Sequence, residues 1–283
     1  MEQLKRYWQD FFAIDRNEND WWARKQALFA ERGAEIIQIK GNGHVYSKLR
    51  YEQENFHQYH LHVQYLIKQQ EQLYLEESVT PYVFKKDHQG NMQAHRRHDY
   101  KQEDLVKTDM FKQSNSPSLN RRSKYDRQAA VQYAERWWND YNPAYRRFPV
   151  DCTNYVSQCL YAGGAPMYGA PVRERGWWYQ ATNWSFSWAV AHSLRWYLAG
   201  ATSGLRGEEM ETAEQLIPGD VICYDFSGDG RWDHNTIVVA KDANGMPLVN
   251  AHTDNSRNRY WSYEDSTAWT LDIQYKFFRI HIE

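Results

Sequence analysis

The chain has 283 residues, a formal net charge of −2 and a pI of about 6.6, so a nucleic-acid partner is not expected. Its length is enough for one large domain or two modest ones, and its three cysteines are too few, and odd in number, for a disulfide framework. The 13 tryptophans and 21 tyrosines exceed ordinary proportions, which indicates an aromatic core and favours an aromatic groove for an extended ligand.

The hydropathy of the chain predicts where the protein resides. Residues 1–8 lack an apolar stretch before a small-residue cleavage site, and no segment reaches the roughly 18 apolar residues of a membrane span. We therefore expect no signal peptide, no membrane span and a cytoplasmic location for the sequence as it stands. A removed leader would instead indicate a cell-wall or spore location. The residues indicate no cofactor and no metal site, and they leave the oligomeric state open.

A polar, proline-broken and aperiodic segment divides the chain into two halves. Residues 113–123 have this character and predict a linker. The sequence therefore predicts an N-terminal α+β domain of unknown role at 1–112 and a second α+β domain at 124–283.

Helical patterns come first in the N-terminal half, and strand patterns follow. Apolar residues share one face between residues 4 and 12, and a second amphipathic stretch covers 21–29. From residue 34 the period becomes two, and Gly41-Asn42-Gly43 predicts a hairpin turn. This order predicts a curved sheet wrapped on helices, of cystatin-like or NTF2-like type. His60 and His62 share one strand face, but their alternation with polar residues favours a solvated face over a metal site.

The second half opens with two helical patterns, at 125–141 and from residue 151 to Gly163-Gly164. Cys152 lies in the first turn of the second helix, directly after Asp151, whose carboxylate can accept the free backbone N–H groups of that turn. The positive end of the helix dipole is expected to lower the pKa of the thiol there, which prepares a nucleophile. A small buried apolar cysteine is the alternative, and this segment alone does not decide between the two.

A tryptophan-rich stretch follows, and a third helix is predicted at 188–198. Trp177, Trp178 and Trp184 are candidate substrate-binding residues, because large aromatic rings beside polar residues suit a cleft wall for a peptide or a sugar-peptide polymer. The alternative is hydrophobic core, which we expect to account for about half of the rings in this stretch.

The last part of the chain has a strand character. The predicted strands are 221–226, 234–240, 247–252 and a last one within 269–282. His234 opens a strand and is the candidate base for Cys152. On the next strand Asn250 and His252 share one face and Asp254 has the same parity, so any of the three can accept the Nδ1–H of His234. The acidic, glycine-rich segment 225–233 is loosely like a calcium loop, but its spacing favours a plain hairpin turn.

A cysteine on an early helix and a histidine opening a later antiparallel strand is the arrangement of papain-like cysteine hydrolases. Four segments carry a closer resemblance: 151–160 (DCTNYVSQCL), 218–221 (PGDV), 233–239 (DHNTIVV) and 249–255 (VNAHTDN). Together they resemble the bacterial putative amidase domain family, which is related to the NlpC/P60 and CHAP cell-wall hydrolases. The resemblance covers about residues 122–280.

The resemblance implies a papain-like second domain, with its helices packed on an antiparallel sheet. It also implies a nucleophile at Cys152, a base at His234 and a polar orienting residue, for which His252 is the first choice and Asp254 the second. Relatives often have His-Val at the strand start, whereas Asn235 follows His234 here, which is expected to place a polar group at the active-site rim. Asn154, in the first turn of the cysteine helix, is a further candidate substrate-binding residue.

These features predict a hydrolase that cleaves amide bonds of peptides or peptidoglycan-like polymers through a thioester on Cys152. An acyltransferase that uses the same cysteine and histidine, with an amine in place of water, is one alternative. A non-catalytic binding module on this scaffold is the other.

Overall fold

The computed structural model describes residues 2–14, 16–51, 54–98 and 124–283. The chain divides into two units, one with Met1–Tyr100 and Tyr263–Thr267, the other with Lys101–Ser262 and Ala268–Glu283. The predicted linker at 113–123 lies outside the described residues, so the predicted domain boundaries stay a prediction. Among the described helices, none has the length and apolar character needed to cross a membrane.

The first unit has two helices followed by an antiparallel sheet in the order β1-β2-β3-β4. Its elements are α1 (Glu2–Ala13), α2 (Trp21–Glu31), β1 (Ala34–Tyr51), β2 (Glu54–Gln69), β3 (Gln72–Lys86) and β4 (Met92–Arg97). Trp8, Trp22 and Tyr65 belong to the core between the helices and the sheet. The helix-then-sheet order is confirmed, and the cystatin-like or NTF2-like type stays a prediction.

The predicted turn at Gly41-Asn42-Gly43 is wrong. These residues lie inside the 18-residue strand β1, opposite Val63, His62 and Leu61 of β2. The pairing of β1 with β2 continues to Tyr51, which pairs with Glu54. A Cβ at Gly43 would lie 3.7 Å from both the Leu4 and Tyr59 side chains, which is ordinary van der Waals contact, so the strand has room for a side chain at this position.

A buried ion cluster also stabilises the first unit. The Lys25 ammonium forms ion pairs with Glu76 and Asp265, and each of the three side chains is at most 7% exposed. Because an unpaired buried charge is costly, these three groups depend on one another.

The second unit places helices on an antiparallel sheet of order β11-β10-β9-β8-β12-β7. Its elements are α3 (Arg127–Trp137), α4 (Cys152–Ala162), β5 (Tyr179–Gln180), β6 (Asn183–Trp184), α5 (Phe186–Ala189), α6 (Ala191–Gly200), β7 (Leu205–Met210), a 3₁₀ helix (Ala213–Gln215), β8 (Val221–Asp225), β9 (His234–Lys241), β10 (Pro247–Ala251), β11 (Asn255–Tyr260) and β12 (Gln274–Ile282). The mixed α+β class is confirmed, while the papain-like assignment stays a prediction.

Helix α4 agrees with the sequence pattern. It begins at Cys152, and the Gly163 N–H donates to the Cys159 carbonyl at its end. All residues from Cys152 to Leu160 are buried, so α4 is the central helix of the unit. Elsewhere the helices are shorter than predicted: α3 ends at Trp137, and the helix predicted at 188–198 is broken at Val190, which has extended backbone angles.

Candidate active site

Cys152 is the first residue of α4 and is only 2% exposed. Its sulfur accepts hydrogen bonds from the backbone N–H groups of Thr153 and Asn235, and it lies 3.7 Å from the Thr153 hydroxyl. Two elements therefore meet at the sulfur, the first turn of α4 and the start of β9. This arrangement can stabilise negative charge on sulfur, because backbone N–H groups aimed at an anion favour the charged form.

Burial dominates the electrostatics of this thiol. Removal from water raises the pKa of Cys152, and the charge of Asp151 raises it further. The Asn235 backbone N–H, the Thr153 hydroxyl and the Thr153 backbone N–H lower the pKa where they donate to the thiolate, but not enough to reverse the shift. The expectation of a lowered pKa is therefore wrong for the site as it stands. A helix start can be recognised in the sequence. The burial of the thiol, whose effect on the pKa is larger than that of the helix start, cannot.

Asp151 occupies the N-cap position but does not cap the helix with its side chain. One carboxylate oxygen, Oδ1, accepts from the Phe148 backbone N–H at 2.9 Å and from the Asn154 amide at 3.0 Å. The other, Oδ2, lies 2.8 Å from Nδ1 of His252. The predicted capping bond is thus replaced by contacts that join the preceding loop, the first turn of α4 and the end of β10.

His252 forms a buried pair with Asp151. Its Nε2 lies 2.7 Å from the Trp137 carbonyl oxygen, and its ring stacks on Tyr155 with centroids 4.1 Å apart. A carbonyl oxygen only accepts, so Nε2 is the donor to Trp137, and Nδ1 is occupied by the Asp151 carboxyl group. With both ring nitrogens occupied, neither is left to accept an N–H from His234. The geometry therefore does not support His252 as the orienting residue.

The His234 side chain lies on the sheet face opposite the one that α4 covers. It pairs in register with Tyr224, and its ring centroid is 5.7 Å from that of Tyr224. The next residue, Asn235, points to the opposite face and contacts Thr153 of α4. Burial, and then the charge of Arg259, lowers the pKa of His234 to about 3, so the ring is neutral at neutral pH. Within the described residues, no hydrogen bond joins this ring to Cys152.

The two other candidate orienting residues, Asn250 and Asp254, lie at the end of β10 and in the turn that follows it. Asn250 donates to Glu135 at 2.8 Å and accepts from the Asn258 backbone N–H at 2.9 Å. Asp254 and Thr253 occupy the turn, each with a φ of 61°. The Thr253 hydroxyl accepts from the Asp151 backbone N–H at 3.0 Å, so this turn is attached to the residue before the cysteine.

The four candidate substrate-binding residues are buried, which differs from the predicted cleft wall. Trp177, Trp178 and Trp184 are at most 6% exposed, and the indole N–H of Trp177 donates to Ser157 inside the core. The Asn154 amide donates to the Arg146 carbonyl and to Asp151, and it accepts from the Trp188 indole. Core packing and internal hydrogen bonds account for these side chains.

Asn235 is the functional candidate that sequence reasoning misplaced. It was expected at the active-site rim, but it is 0% exposed and lies between α4 and the sheet. Its Oδ1 accepts from the Thr153 hydroxyl at 2.8 Å, and its cross-strand partner is Cys223. Strand parity was the available signal, because it places residues 234 and 235 on opposite faces.

The acidic segment 225–233 forms a turn that Asp225 stabilises. Its carboxylate accepts from the Gly228 and Gly230 backbone N–H groups at 2.8 and 2.7 Å. These bonds support the hairpin interpretation over the calcium loop. Within the described ranges, no group of three or more His, Cys, Asp or Glu residues is placed to hold a metal ion.

The sequence comparisons agree with this arrangement of motifs. Residues 124–278 match the family described as "Putative amidase domain", which is more than half of the chain. The chain belongs to this family. Membership in the amidase domain family supports amide hydrolysis and a hydrolase that acts on C–N bonds. Kinship with the NlpC/P60 and CHAP hydrolases stays a prediction.

Two proteins of Bacillus subtilis (strain 168) are similar to this amidase-family chain. "Uncharacterized protein YhbB" is 46% identical over 264 residues, which cover 91% of this chain and 85% of that protein. "Uncharacterized protein YjcM" is 29% identical over 187 residues, which cover 62% of this chain and 43% of that protein. No solved structure gives a significant match.

Proposed function

We propose that the protein is a cysteine-dependent amide hydrolase whose nucleophile is Cys152. The observation that carries this proposal is the position of the sulfur, which accepts the backbone N–H groups of Thr153 and Asn235 at the start of α4. Amidase family membership supports the reaction class. The NlpC/P60-like and papain-like features of the sequence support the cysteine mechanism.

The proposed reaction has two steps. The Cys152 thiolate attacks the amide carbonyl carbon, the C–N bond breaks, and the amine leaves with the proton that the thiol gave to the base. Water then attacks the thioester, the base removes its proton, and the C–S bond breaks to release the acid and the thiol. The backbone N–H of Cys152, at the helix start, is the proposed donor to the oxyanion.

His234 is the proposed base. Its lowered pKa, about 3, keeps the imidazole unprotonated at neutral pH but makes it a weak base in its buried position, so the proposal requires the ring to leave that position in the substrate complex. Its chain neighbour Asn235 contacts the Cys152 sulfur, so the backbone of the proposed base is already close. Because the ring packs beside Tyr224, on the sheet face opposite Asn235, the proposal requires the start of β9 to rearrange when substrate binds, so that the ring reaches Cys152. His252 and Asp151 then hold the helix start and do not orient the base.

Peptide or cell-wall peptide amides are the proposed substrates, on the strength of the family resemblance. The test is mass spectrometry of cell-wall fragments and peptides incubated with the wild-type protein, Cys152→Ala and Cys159→Ala. Cys159 is on the same helix, 0% exposed, and outside the proposed chemistry, so it provides the matched control.

We expect cleavage by the wild type and by Cys159→Ala, and none by Cys152→Ala. Undiminished cleavage by Cys152→Ala would refute the proposal. Products that carry an added amine in place of water would identify an acyltransferase, and intact fragments that remain bound would identify a binding module.

A further inference from the structure

The Thr153 hydroxyl lies between Cys152 and Asn235 and can serve only one of them as a donor. Its oxygen is 3.7 Å from the Cys152 sulfur and 2.8 Å from Oδ1 of Asn235. A carboxamide oxygen only accepts, so the single hydroxyl proton of Thr153 goes to Asn235. The contact with sulfur must then run from the Cys152 S–H to the Thr153 oxygen. In this arrangement the hydroxyl stabilises the neutral thiol, which is the unreactive form.

The other end of the same carboxamide has only a weak partner. Nδ2 of Asn235 donates to the Cys223 thiol and has no oxygen or nitrogen acceptor among the described residues, although the side chain is 0% exposed. A thiol sulfur is a weak acceptor, so this buried amide is poorly satisfied. Buried polar groups are nearly always satisfied, and exceptions concentrate where a group has a functional role.

A 180° rotation of the Asn235 carboxamide, which exchanges Oδ1 and Nδ2, gives every polar group in this cluster a hydrogen-bond partner. Nδ2 then donates to the Thr153 oxygen, and Oδ1 accepts from the Cys223 thiol. The Thr153 proton is released from Asn235 and can be donated to the Cys152 sulfur. The sulfur in its thiolate form would then accept from the hydroxyl and from two backbone N–H groups, those of Thr153 and Asn235.

We infer that Asn235 is a positioning residue whose carboxamide, by turning over, changes the Thr153 hydroxyl from an acceptor of the Cys152 S–H into a donor to the Cys152 thiolate. This inference rests on the proposed function, because it concerns the ionisation of the proposed nucleophile. It explains how a buried sulfur becomes reactive without a charged partner. The other ionisable groups around the sulfur are Asp151, before it in the chain, and Cys223, on β8.

The test measures the pH dependence of Cys152 alkylation by iodoacetamide, located on Cys152 by fragment mass spectrometry. Thr153→Val removes the hydroxyl at nearly constant shape, and Thr153→Ser keeps it. We expect Thr153→Val to raise the midpoint of the profile by about one pH unit and to slow alkylation at pH 7 about tenfold. Thr153→Ser should restore the wild-type profile. A merely structural role for Thr153 would not move the midpoint.

The Asn235→Asp variant gives a second measurement of the same pH profile. A carboxylate only accepts, so it keeps the Thr153 proton away from the sulfur, and its charge also opposes the thiolate. This variant should shift the midpoint upward as well. Far-UV circular dichroism checks the fold of each variant, and if Thr153→Val does not fold, Thr153→Ala, which also removes the hydroxyl, takes its place.

The two possible hydroxyl roles predict opposite signs. If the hydroxyl only accepts from the thiol, Thr153→Val lowers the midpoint, and that result would overturn the inference. An unchanged midpoint in either Thr153→Val or Asn235→Asp would also overturn it. The assay uses no substrate, so its failure is distinct from failure of the hydrolase proposal, which depends on Cys152→Ala.

Discussion

The buried pair of Asp151 and His252 should be a major source of stability for the helix start that carries Cys152. The His252→Phe substitution keeps a ring stacked on Tyr155 but removes both ring nitrogens. It leaves the Asp151 carboxylate and the Trp137 carbonyl without those partners, in a place where the pair is at most 3% exposed. Removing one member of a buried ion pair costs about 3–5 kcal/mol. For a unit of this size that corresponds to a Tm lowered by about 6–20 °C.

The matched control is another histidine–carboxylate pair in the same unit. His281 and Glu208 lie 3.0 Å apart, but their side chains are 36% and 58% exposed, so His281→Phe should cost at most about 1 kcal/mol. Thermal unfolding followed by circular dichroism compares the two. Adding Asp151→Asn to His252→Phe removes the unpaired charge and should recover part of the loss. Equal Tm values for His252→Phe and His281→Phe, or no recovery in the double variant, would refute the reasoning.

Three further predictions concern other parts of the chain. Lys25→Met removes the ammonium that two buried carboxylates share and should cost about 3–5 kcal/mol in urea unfolding, whereas Lys85→Met, in a more exposed pair, should cost about 1 kcal/mol or less; similar midpoints would contradict this. His234 in the unfolded chain binds a proton below its ordinary pKa of 6.5, whereas in the folded protein it stays neutral down to about pH 3. The free energy of unfolding should therefore fall between these two pH values by up to about 1.4 kcal/mol per pH unit. Comparison of urea unfolding at several pH values should show a smaller slope for His234→Phe, and an unchanged slope would count against a buried neutral ring. Asp225→Ala should lower the Tm because the N–H groups of Gly228 and Gly230 lose their carboxylate acceptor, and added calcium should leave the wild-type Tm unchanged; a rise with calcium would favour the cation loop instead.

Local patterns were sufficient to predict α4. The spacing of Val156, Cys159 and Leu160 and the glycines after residue 162 specify a helix that begins at Cys152. These signals are contained within a few residues, so no tertiary information is needed to interpret them. The predicted turn at Gly41-Asn42-Gly43 was wrong for the opposite reason, because the pairing of β1 with β2 continues through these residues and depends on a partner strand about 20 residues away.

The partners of the candidate site residues could not be predicted from the sequence. His252 was expected to orient His234, but its partner is Asp151, because β10 ends beside the start of α4. The raised pKa of Cys152 follows from burial, which depends on the packing of the whole unit. Asn235 was expected at the rim because its sequence neighbour is the candidate base, while its contacts follow from the strand face that it occupies.

The covalent state of Cys152 during turnover tests the central claim most directly. Rapid acid quenching of the protein with a cleaved peptide substrate, followed by fragment mass spectrometry, should detect the acyl part of the substrate as a thioester on Cys152. The adduct should be removed by hydroxylamine and should be absent from Cys152→Ala, which should also be inactive. Continued turnover by Cys152→Ala without any adduct would contradict the account.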